Sequence, residues 1–516
     1  LKGLAAAGIG LMLSMIGSDA QTGTLRWTFN TLYLWDRVPL VPVTLGIFAI
    51  PELADMAISR TSIAGNAVRR DISMSGQWSG FVEAARHWWL ILRCSWLGAI
   101  LGAVPGLGSA VIDWIAYGHA MRTEKNTEGF GQGDIRGVIA AESSNNAKEG
   151  GHLVPTIAFG VPAGASMALL LSAFLMHGLV PGPEMLTKHL DVTYSIIWTL
   201  TLSHVMGAGI CLCASGLFAR LATVRVGILL PLILTVIFLG AFEGSQSWGD
   251  LYSLVIFGGL GWVMKHLNWP RPPLILGFVV GGIFERYFFI STEIYGVGWV
   301  LRPVVLAVFA VALWVVLPPL KQNLAGTVAA FRQFSWRALR FKWDASFSAS
   351  VAATVVVALW FSRDWPAAAR LVPHAAAFAT LLFALMNLAT EVFGKAPAEA
   401  APRGVGDMPA GAALAPPPAS EALPLPLLRR RALRYFGWLA GCLIVGAGIG
   451  LLPALFFFIL LMMRFEFGER WDWASGTAAV AIVAIWLLFD RTFAVPWPQS
   501  LLGDLFPLLR DATGLV

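Results

Sequence analysis

The sequence predicts an all-α integral membrane protein, a polytopic helical bundle with broken helices, and three observations lead to this fold class. The first is composition, because 57% of the 516 residues are hydrophobic and only 13% are charged. The mean hydropathy of +0.70 accordingly exceeds that of soluble domains. The second is a series of apolar stretches, since about 20 residues cross a bilayer, and the pattern predicts about a dozen membrane segments. The third is the interruption of these stretches by Gly and Pro.

The apolar stretches divide the chain into three predicted parts. Residues 1–320 form a transport domain with candidate spans at residues 4–16, 38–58, 194–218, 226–242, 251–264, 274–289 and 300–317. Residues 321–343 are basic and amphipathic, which predicts a cytoplasmic linker on the membrane surface. Residues 344–516 form a small, four-helix-like membrane module in which residues 394–428, rich in Ala, Pro and Gly, are predicted to be disordered. Within this module, residues 435–463 are too long for one simple span and predict a kinked helix or a helical hairpin.

Two breaks of the same kind lie within residues 97–183. Val104-Pro105-Gly106-Leu107-Gly108 interrupts one apolar stretch, and residues 160–166 (GVPAGAS) precede another. Pro removes a backbone donor, and Gly admits conformations that are closed to other residues. At membrane depth such backbone is tolerated only inside protein or beside a wet cavity. The second half-helix, beginning near Ser109, would present free N–H groups and a positive dipole end to a carboxylate. The breaks therefore predict a binding site of the kind that secondary transporters build from discontinuous helices.

The residues between the breaks supply polar side chains for such a site. Hydroxyls, amides and one carboxylate follow one another in Glu142-Ser143-Ser144-Asn145-Asn146. The predicted substrate-binding residues are Pro105, Gly106, Gly108, Ser109, Ser143, Ser144, Asn145, Asn146, Gly164 and Ser166, and the predicted coupling-ion residues are Glu142, Ser143 and Asn145.

Each prediction has a structural alternative. Asn145 and Asn146 are also favoured helix N-caps, and Glu142 is a solvated charge if it lies in a loop. His152 and His177 are proton carriers or, more simply, structural histidines. The four Cys lie in apolar stretches and are interpreted as packing residues. No catalytic set, metal site or cofactor motif is predicted.

The motifs themselves carry a resemblance. PGLG, ESSNNAKEGGHLVPTIAFGVP and HGLVPGP resemble the signature of the large membrane subunit of the tripartite tricarboxylate transporters, the TctA family, over roughly residues 1–319. That family usually has Ala-Pro-Glu where this chain has Ala140-Ala141-Glu142, and Ile-Pro-Gly-Ser where it has Val161-Pro162-Ala163-Gly164. Large subunits have two related halves, each with its own break, whereas this chain has one such signature. The resemblance implies one half of an inverted repeat. The N-terminal half is then missing, because the sequence is a fragment or because a separate chain supplies it.

The C-terminal part carries a looser resemblance to the small membrane subunit, TctB. It rests on IGLLPALFFFILLMMRFEFGERW and DRTFAVPWPQSLLGDLFP. The order of the two regions predicts a fusion of the large and small subunits.

The predicted function is secondary active uptake of small di- or tricarboxylates. The resemblance implies a bacterial inner-membrane location, a sodium or proton gradient as the energy source and a periplasmic solute-binding protein as partner. The alternatives are an assembly subunit without a complete substrate site and, less favoured, a membrane-embedded enzyme, for which no Gly-x-Ser-x-Gly or His-Glu-x-x-His motif is present. The net charge of +6 is dispersed and predicts basic cytoplasmic loops instead of a nucleic-acid surface.

Overall fold

The computed structural model describes residues 1–19, 21–59, 74–104, 109–130, 134–222, 224–310, 312–314, 317, 343–393, 425–492 and 495–506. These residues are almost entirely helical. One antiparallel hairpin, β1 (Gly17–Ser18) with β2 (Leu25–Arg26), is the sheet structure in this part of the chain. The all-α fold class is therefore confirmed.

The helices follow one another with short connections. In chain order they are α1 (Lys2–Ser14), α2 (Leu40–Thr44), α3 (Ile50–Ser59), α4 (Met74–Arg86), α5 (Trp88–Gly102), α6 (Ser109–Thr123), α7 (Ile135–Phe159), α8 (Ala165–Met176), α9 (Leu190–Ala222), α10 (Val226–Phe242), α11 (Trp248–His266), α12 (Pro272–Tyr295), α13 (Trp343–Phe361), α14 (Ala367–Phe393), α15 (Leu425–Ile449), α16 (Leu451–Leu461), α17 (Trp471–Ile485) and α18 (Leu501–Leu505). A π-helical turn, Leu45–Ala49, joins α2 to α3.

Five helices in the described residues are long and apolar enough to cross a membrane. They are Leu40–Ser59, Leu190–Leu217, Ala367–Val392, Pro426–Ile449 and Trp471–Thr492, and the bent pair Pro272–Gly282 and Phe284–Tyr295 gives a sixth if it is one span. Several of the remaining apolar helices, including α1, α5 and α10, are shorter than 18 residues. The protein is thus a multi-pass helical membrane protein, with fewer full-length spans in this part of the chain than the sequence predicts.

The chain forms two compact units. The first contains the described residues of Leu1–Val38, His87–Thr193 and His266–Ala413, and the second those of Pro39–Arg86, Tyr194–Lys265 and Leu414–Val516. Helices from residues 344–516 occur in both units, with α13 and α14 in the first and α15 to α18 in the second. The division into a transport domain, a linker and a small module stays a prediction.

The first unit places α1 against α12 and α14. A buried ion triad ties the β-hairpin to α12, because the Arg26 guanidinium lies 2.7 Å from Asp19 Oδ1 and 2.5 Å from Glu285 Oε1. The Lys2 ammonium lies 3.1 Å from Glu391 on α14.

The second unit contains a helical hairpin over the segment 435–463. Gly450 separates α15 from α16 with φ 98°, a conformation that favours glycine. Beyond it the chain runs back along α15, since Glu466 Oε2 lies 3.3 Å from Trp438 Nε1 and 3.6 Å from Arg434 Nε. Of the two predicted alternatives, the hairpin is therefore the one that forms.

Two predicted linkers lie mostly outside the described residues. Residues 321–342 of the basic linker are not among them, nor are residues 394–424. The end of the second predicted linker is corrected, because α15 begins at Leu425 and includes Leu428.

Candidate functional site

The polar stretch 142–146 lies inside α7, a helix of 25 residues. Asp134 caps this helix, because its side chain accepts a hydrogen bond of 2.9 Å from the Arg136 backbone N–H. Asn145 and Asn146 lie 11 and 12 residues beyond the cap, so the alternative that they are N-caps is wrong. Glu142 lies on the same helix instead of in a loop, but its side chain is exposed, which is compatible with the alternative of a solvated charge.

The backbone of α5 packs closely against the backbone of α7 near the middle of α7. A Cβ atom on Gly102 would lie 2.5 Å from the carbonyl oxygen of Lys148, and one on Gly98 would overlap the backbone of Ser144. From the other side, a Cβ on Gly151 would overlap the carbonyl of Ala99. Only glycine permits this approach, and it buries Ser144 completely.

One face of α7 gathers four polar side chains at positions i, i+3, i+4 and i+7. They are Asn145, Lys148, Glu149 and His152, and we call them the α7 polar face. The Lys148 ammonium, in a residue that is 4% exposed, donates to Asn145 Oδ1 and, at 2.9 Å, to the Asn145 carbonyl. It also lies 3.4 Å from Glu149 Oε1.

The connection from α7 to α8 brings a helix N-terminus to this face. Gly160 ends α7 with φ 65° and ψ 24°, the left-handed conformation of a helix C-terminus. After an extended Gly164, α8 begins at Ala165, and Ser166 Oγ donates to Glu149 Oε2 at 3.3 Å. A Cβ on Gly164 would lie 3.2 Å from His152 Cε1, so the imidazole packs directly beneath the start of α8.

His152 is buried at this junction without hydrogen bonds to its ring. The residue is 2% exposed, and neither ring nitrogen has a hydrogen-bond partner among the described residues. The nearest acidic group is Glu149, whose Oε2 lies 3.6 Å from Nδ1. A buried polar group left without a partner costs about 1–3 kcal/mol, which suits a site that a ligand completes.

Comparison with known proteins identifies the family of the chain. The model of the tripartite tricarboxylate transporter TctA family matches residues 1–276, which is more than half of the chain. The chain belongs to the TctA family. The family that the sequence motifs indicate is therefore confirmed.

Two curated relatives of this TctA-family chain come from Agrobacterium vitis. An uncharacterized 52.8 kDa protein in the TAR-I ttuC′ 3′ region is 29% identical over 287 residues, which are 56% of this chain and 56% of the relative. An uncharacterized protein in the TAR-II ttuC′ 3′ region is 30% identical over 190 residues, 37% of this chain and 78% of the relative. The match thus spans about half the length of the first relative. No solved structure matches the chain.

The predicted site residues of this TctA-family chain fall into three groups. Pro105, Gly106 and Gly108 lie outside the described residues, so their part in the binding site stays a prediction. Ser109 is the first residue of α6. Ser143, Ser144, Asn145 and Asn146 lie on α7, while Gly164 and Ser166 lie at the start of α8 beside the α7 polar face.

The residues on α7 point in different directions. Asn145 is half-buried and bound by Lys148, whereas Glu142 and Asn146 are exposed. Ser144 donates 2.8 Å to the Ala141 carbonyl within its own helix. Asp113 on α6 interacts electrostatically with Lys148 and with Glu142.

Sequence reasoning missed Lys148 and Glu149 as site residues, although both lie within the family motif. Their spacing from Asn145 and His152 carries the signal, since i, i+3, i+4 and i+7 share one helix face. Of the two histidines, His152 lies in the site and His177 is exposed at the end of α8.

Proposed function

We propose that this chain transports small di- or tricarboxylates across the bacterial inner membrane by secondary active transport. The observation that carries the proposal is the α7 polar face meeting the N-terminus of α8 in a TctA-family chain. Such a site offers a carboxylate the Lys148 ammonium, the Ser166 hydroxyl and the free N–H groups of a helix N-terminus. Asn145 and Asn146 add amides beside it.

An ion gradient supplies the energy in this proposal. The sequence contains no Gly-x-x-x-x-Gly-Lys-[Ser/Thr] phosphate loop. An anion that enters a negative interior needs accompanying cations, because each charge moved costs about 2.3 kcal/mol per 100 mV. Sodium and protons are both candidates, with Glu142, Ser143 and Asn145 as oxygen ligands on α7.

The proposed partners follow from the family. A periplasmic solute-binding protein delivers the carboxylate, and a separate chain carrying the related N-terminal half completes the membrane complex. In this proposal the helices of residues 344–516 also perform the role of the small membrane subunit.

Reconstitution tests this proposal. We expect the complete complex in proteoliposomes, supplied with its binding protein, to accumulate labelled citrate or succinate when sodium and proton gradients are imposed. Accumulation should collapse when both gradients are dissipated while ATP is kept. Undiminished accumulation without the gradients contradicts secondary transport.

A second candidate function is an assembly subunit without a substrate site of its own. The observation that favours it is that the Lys148 ammonium is already bound by Asn145 and Glu149 within α7. Under this alternative, substitutions at Asn145 and Lys148 leave the uptake by the assembled complex unchanged.

A further inference from the structure

Glu149 occupies the place that a substrate carboxylate would take. Its Oε1 lies 3.4 Å from the Lys148 ammonium, and its Oε2 accepts the hydroxyl of Ser166 at the start of α8. These are the groups that the proposed function offers to the substrate. A second carboxylate therefore competes with Glu149 for the same partners.

The cluster opens to its surroundings at Glu149. The Glu149 side chain is 26% exposed and Ser166 is exposed, whereas the side chains of Lys148 and His152 behind them are 5% and 3% exposed. A proton from water thus reaches Glu149 before any other titratable group of the α7 polar face. The buried His152 ring, with neither nitrogen hydrogen-bonded among the described residues, faces this carboxylate and the start of α8.

Among the neighbouring elements, α6 contributes one charged group near this point, because Asp113 interacts with Lys148. On α5, Arg93 pairs with Glu124, which follows α6, and after α8 Glu184 pairs with Lys188. On α12, which also packs against α8, Glu285 pairs with Arg26. No titratable side chain belongs to α8 itself. Lys148 and Glu149 are thus the charged side chains in contact at the start of α8 among the described residues.

We infer that Glu149 is a resident carboxylate that is displaced by the substrate and then carries the coupling proton. This inference rests on the proposed function and names the ion of the same site. When a substrate carboxylate binds Lys148 and the α8 N-terminus, Glu149 loses these two partners and keeps the His152 imidazole, whose Nδ1 lies 3.6 Å from its Oε2. Covered by the bound substrate, this carboxylate takes up a proton, because desolvation disfavours the charged form. Glu149 accepts one proton from the outer water and becomes a neutral acid. It returns that proton to the inner water when the substrate leaves.

The test separates coupled accumulation from exchange. Proteoliposomes with the complete complex and binding protein receive labelled succinate or citrate under a pH gradient alone, and exchange of labelled against unlabelled substrate is measured without any gradient. For Glu149→Gln we expect at least a tenfold loss of pH-driven accumulation with exchange retained. Glu184→Gln, an exposed carboxylate outside the site, is the matched control and should behave like the wild type in both assays.

The possible outcomes separate a failure of this inference from a failure of the proposed transport function. Wild-type vesicles that take up neither probe under any gradient contradict the proposed function. Wild-type uptake driven by sodium but not by a pH gradient contradicts only the inference. The inference is also contradicted if Glu149→Gln accumulates substrate under a pH gradient as the wild type does. It is equally contradicted if the variant folds normally but has lost exchange.

A second variant covers the case in which Glu149→Gln does not fold. Ser166→Ala removes a hydrogen bond to the charged form of Glu149, so protonation becomes easier. The midpoint of the pH profile of uptake should therefore shift to higher pH. An unchanged profile in this variant overturns the inference.

Discussion

The two adjacent amides of α7 differ in their surroundings. Asn145 Oδ1 accepts from a buried ammonium, whereas the Asn146 side chain is exposed. Because Asn145→Ala removes one acceptor from a buried ammonium, and a hydrogen bond to a charged group is worth about 1.5–3 kcal/mol, we expect this variant to lower both the thermal midpoint of the complex and its uptake. Asn146→Ala should raise the apparent KM for citrate or succinate and leave the thermal midpoint unchanged. Equal losses of stability in the two variants would show that Lys148 does not depend on Asn145.

The cap of α7 gives a pH-dependent prediction. The guanidinium of Arg136 and its backbone N–H hold the pKa of Asp134 below its usual value. A depressed carboxyl pKa stabilises the fold above the ordinary aspartate pKa, near pH 4, and this stabilisation is lost as the pH falls through the folded-state value. Asp134→Asn keeps a cap but should lose this acid-sensitive component, while Asp134→Ala should cost about 1 kcal/mol at neutral pH. Thermal unfolding in detergent between pH 3 and 7 measures both effects. If the thermal midpoints of the wild type and of Asp134→Asn changed with pH in the same way, the stabilising role of the charged Asp134 would be contradicted.

At the residue scale, the sequence shows which polar side chains are candidates for the site better than it shows which groups they contact. The amides and hydroxyls of 143–146 are recognisable because such groups are costly in an apolar chain. That Lys148 is buried while Asn146 is exposed depends on the rotation of α7 about its axis. Packing on α5 through Gly98, Gly102 and Gly151 sets that rotation, and no local pattern reports it.

At the scale of elements, α7 offers two adjacent glycines as a matched pair. A Cβ on Gly151 would overlap the Ala99 carbonyl, whereas one on Gly150 would meet nothing within 4 Å. Gly151→Ala should destabilise the protein by about 1–3 kcal/mol, the usual cost of overpacking. Gly150→Ala should be neutral or stabilising by about 0.5–1 kcal/mol, because alanine favours the helix. The thermal midpoints of the two purified variants, each compared with that of the wild type, test this prediction. Similar midpoints for the two variants contradict the close approach of α5 and α7.

The sequence predicts helix ends well where glycine needs an unusual conformation. Gly160 and Gly450 both have positive φ and both lie at predicted irregularities. It predicts poorly how far the polar stretch continues as helix, since Ser and Asn favour caps and turns in isolation. Tertiary packing overrides that tendency in α7. The choice between kink and hairpin at Gly450 likewise depends on the contacts of Glu466 with α15.

At the scale of the whole molecule, the C-terminal helices are built into the packing of both units. In the first unit a Cβ on Gly8 of α1 would overlap Thr380 of α14, and in the second the Tyr435 hydroxyl donates 3.3 Å to the Ile50 carbonyl. We therefore expect residues 1–343, expressed alone, to yield little monodisperse protein. Co-expression with residues 344–516 as a second chain should restore it, and size-exclusion chromatography in detergent measures the recovery. A stable, monodisperse 1–343 would show that the C-terminal helices are dispensable for folding.

Fold class and family follow from the sequence because composition and long motifs determine them. Which helices pack together does not follow, since apolar spans look alike along the chain. The interleaving of residues 1–38, 87–193 and 266–393 in one unit illustrates this, because it joins helices that are far apart in sequence.

The glycine contacts between α5 and α7 also bear on motion. Where two helices meet backbone to backbone, few flexible side chains separate them, so we expect α5 and α7 to move together. The Gly160 turn and the extended Gly164, by contrast, leave α8 joined to α7 by non-helical backbone. In the proposed transport cycle, α8 is therefore the helix that we expect to move relative to α7. Spin labels should record a constant distance between α5 and α7 throughout the transport cycle and a changing distance between α7 and α8.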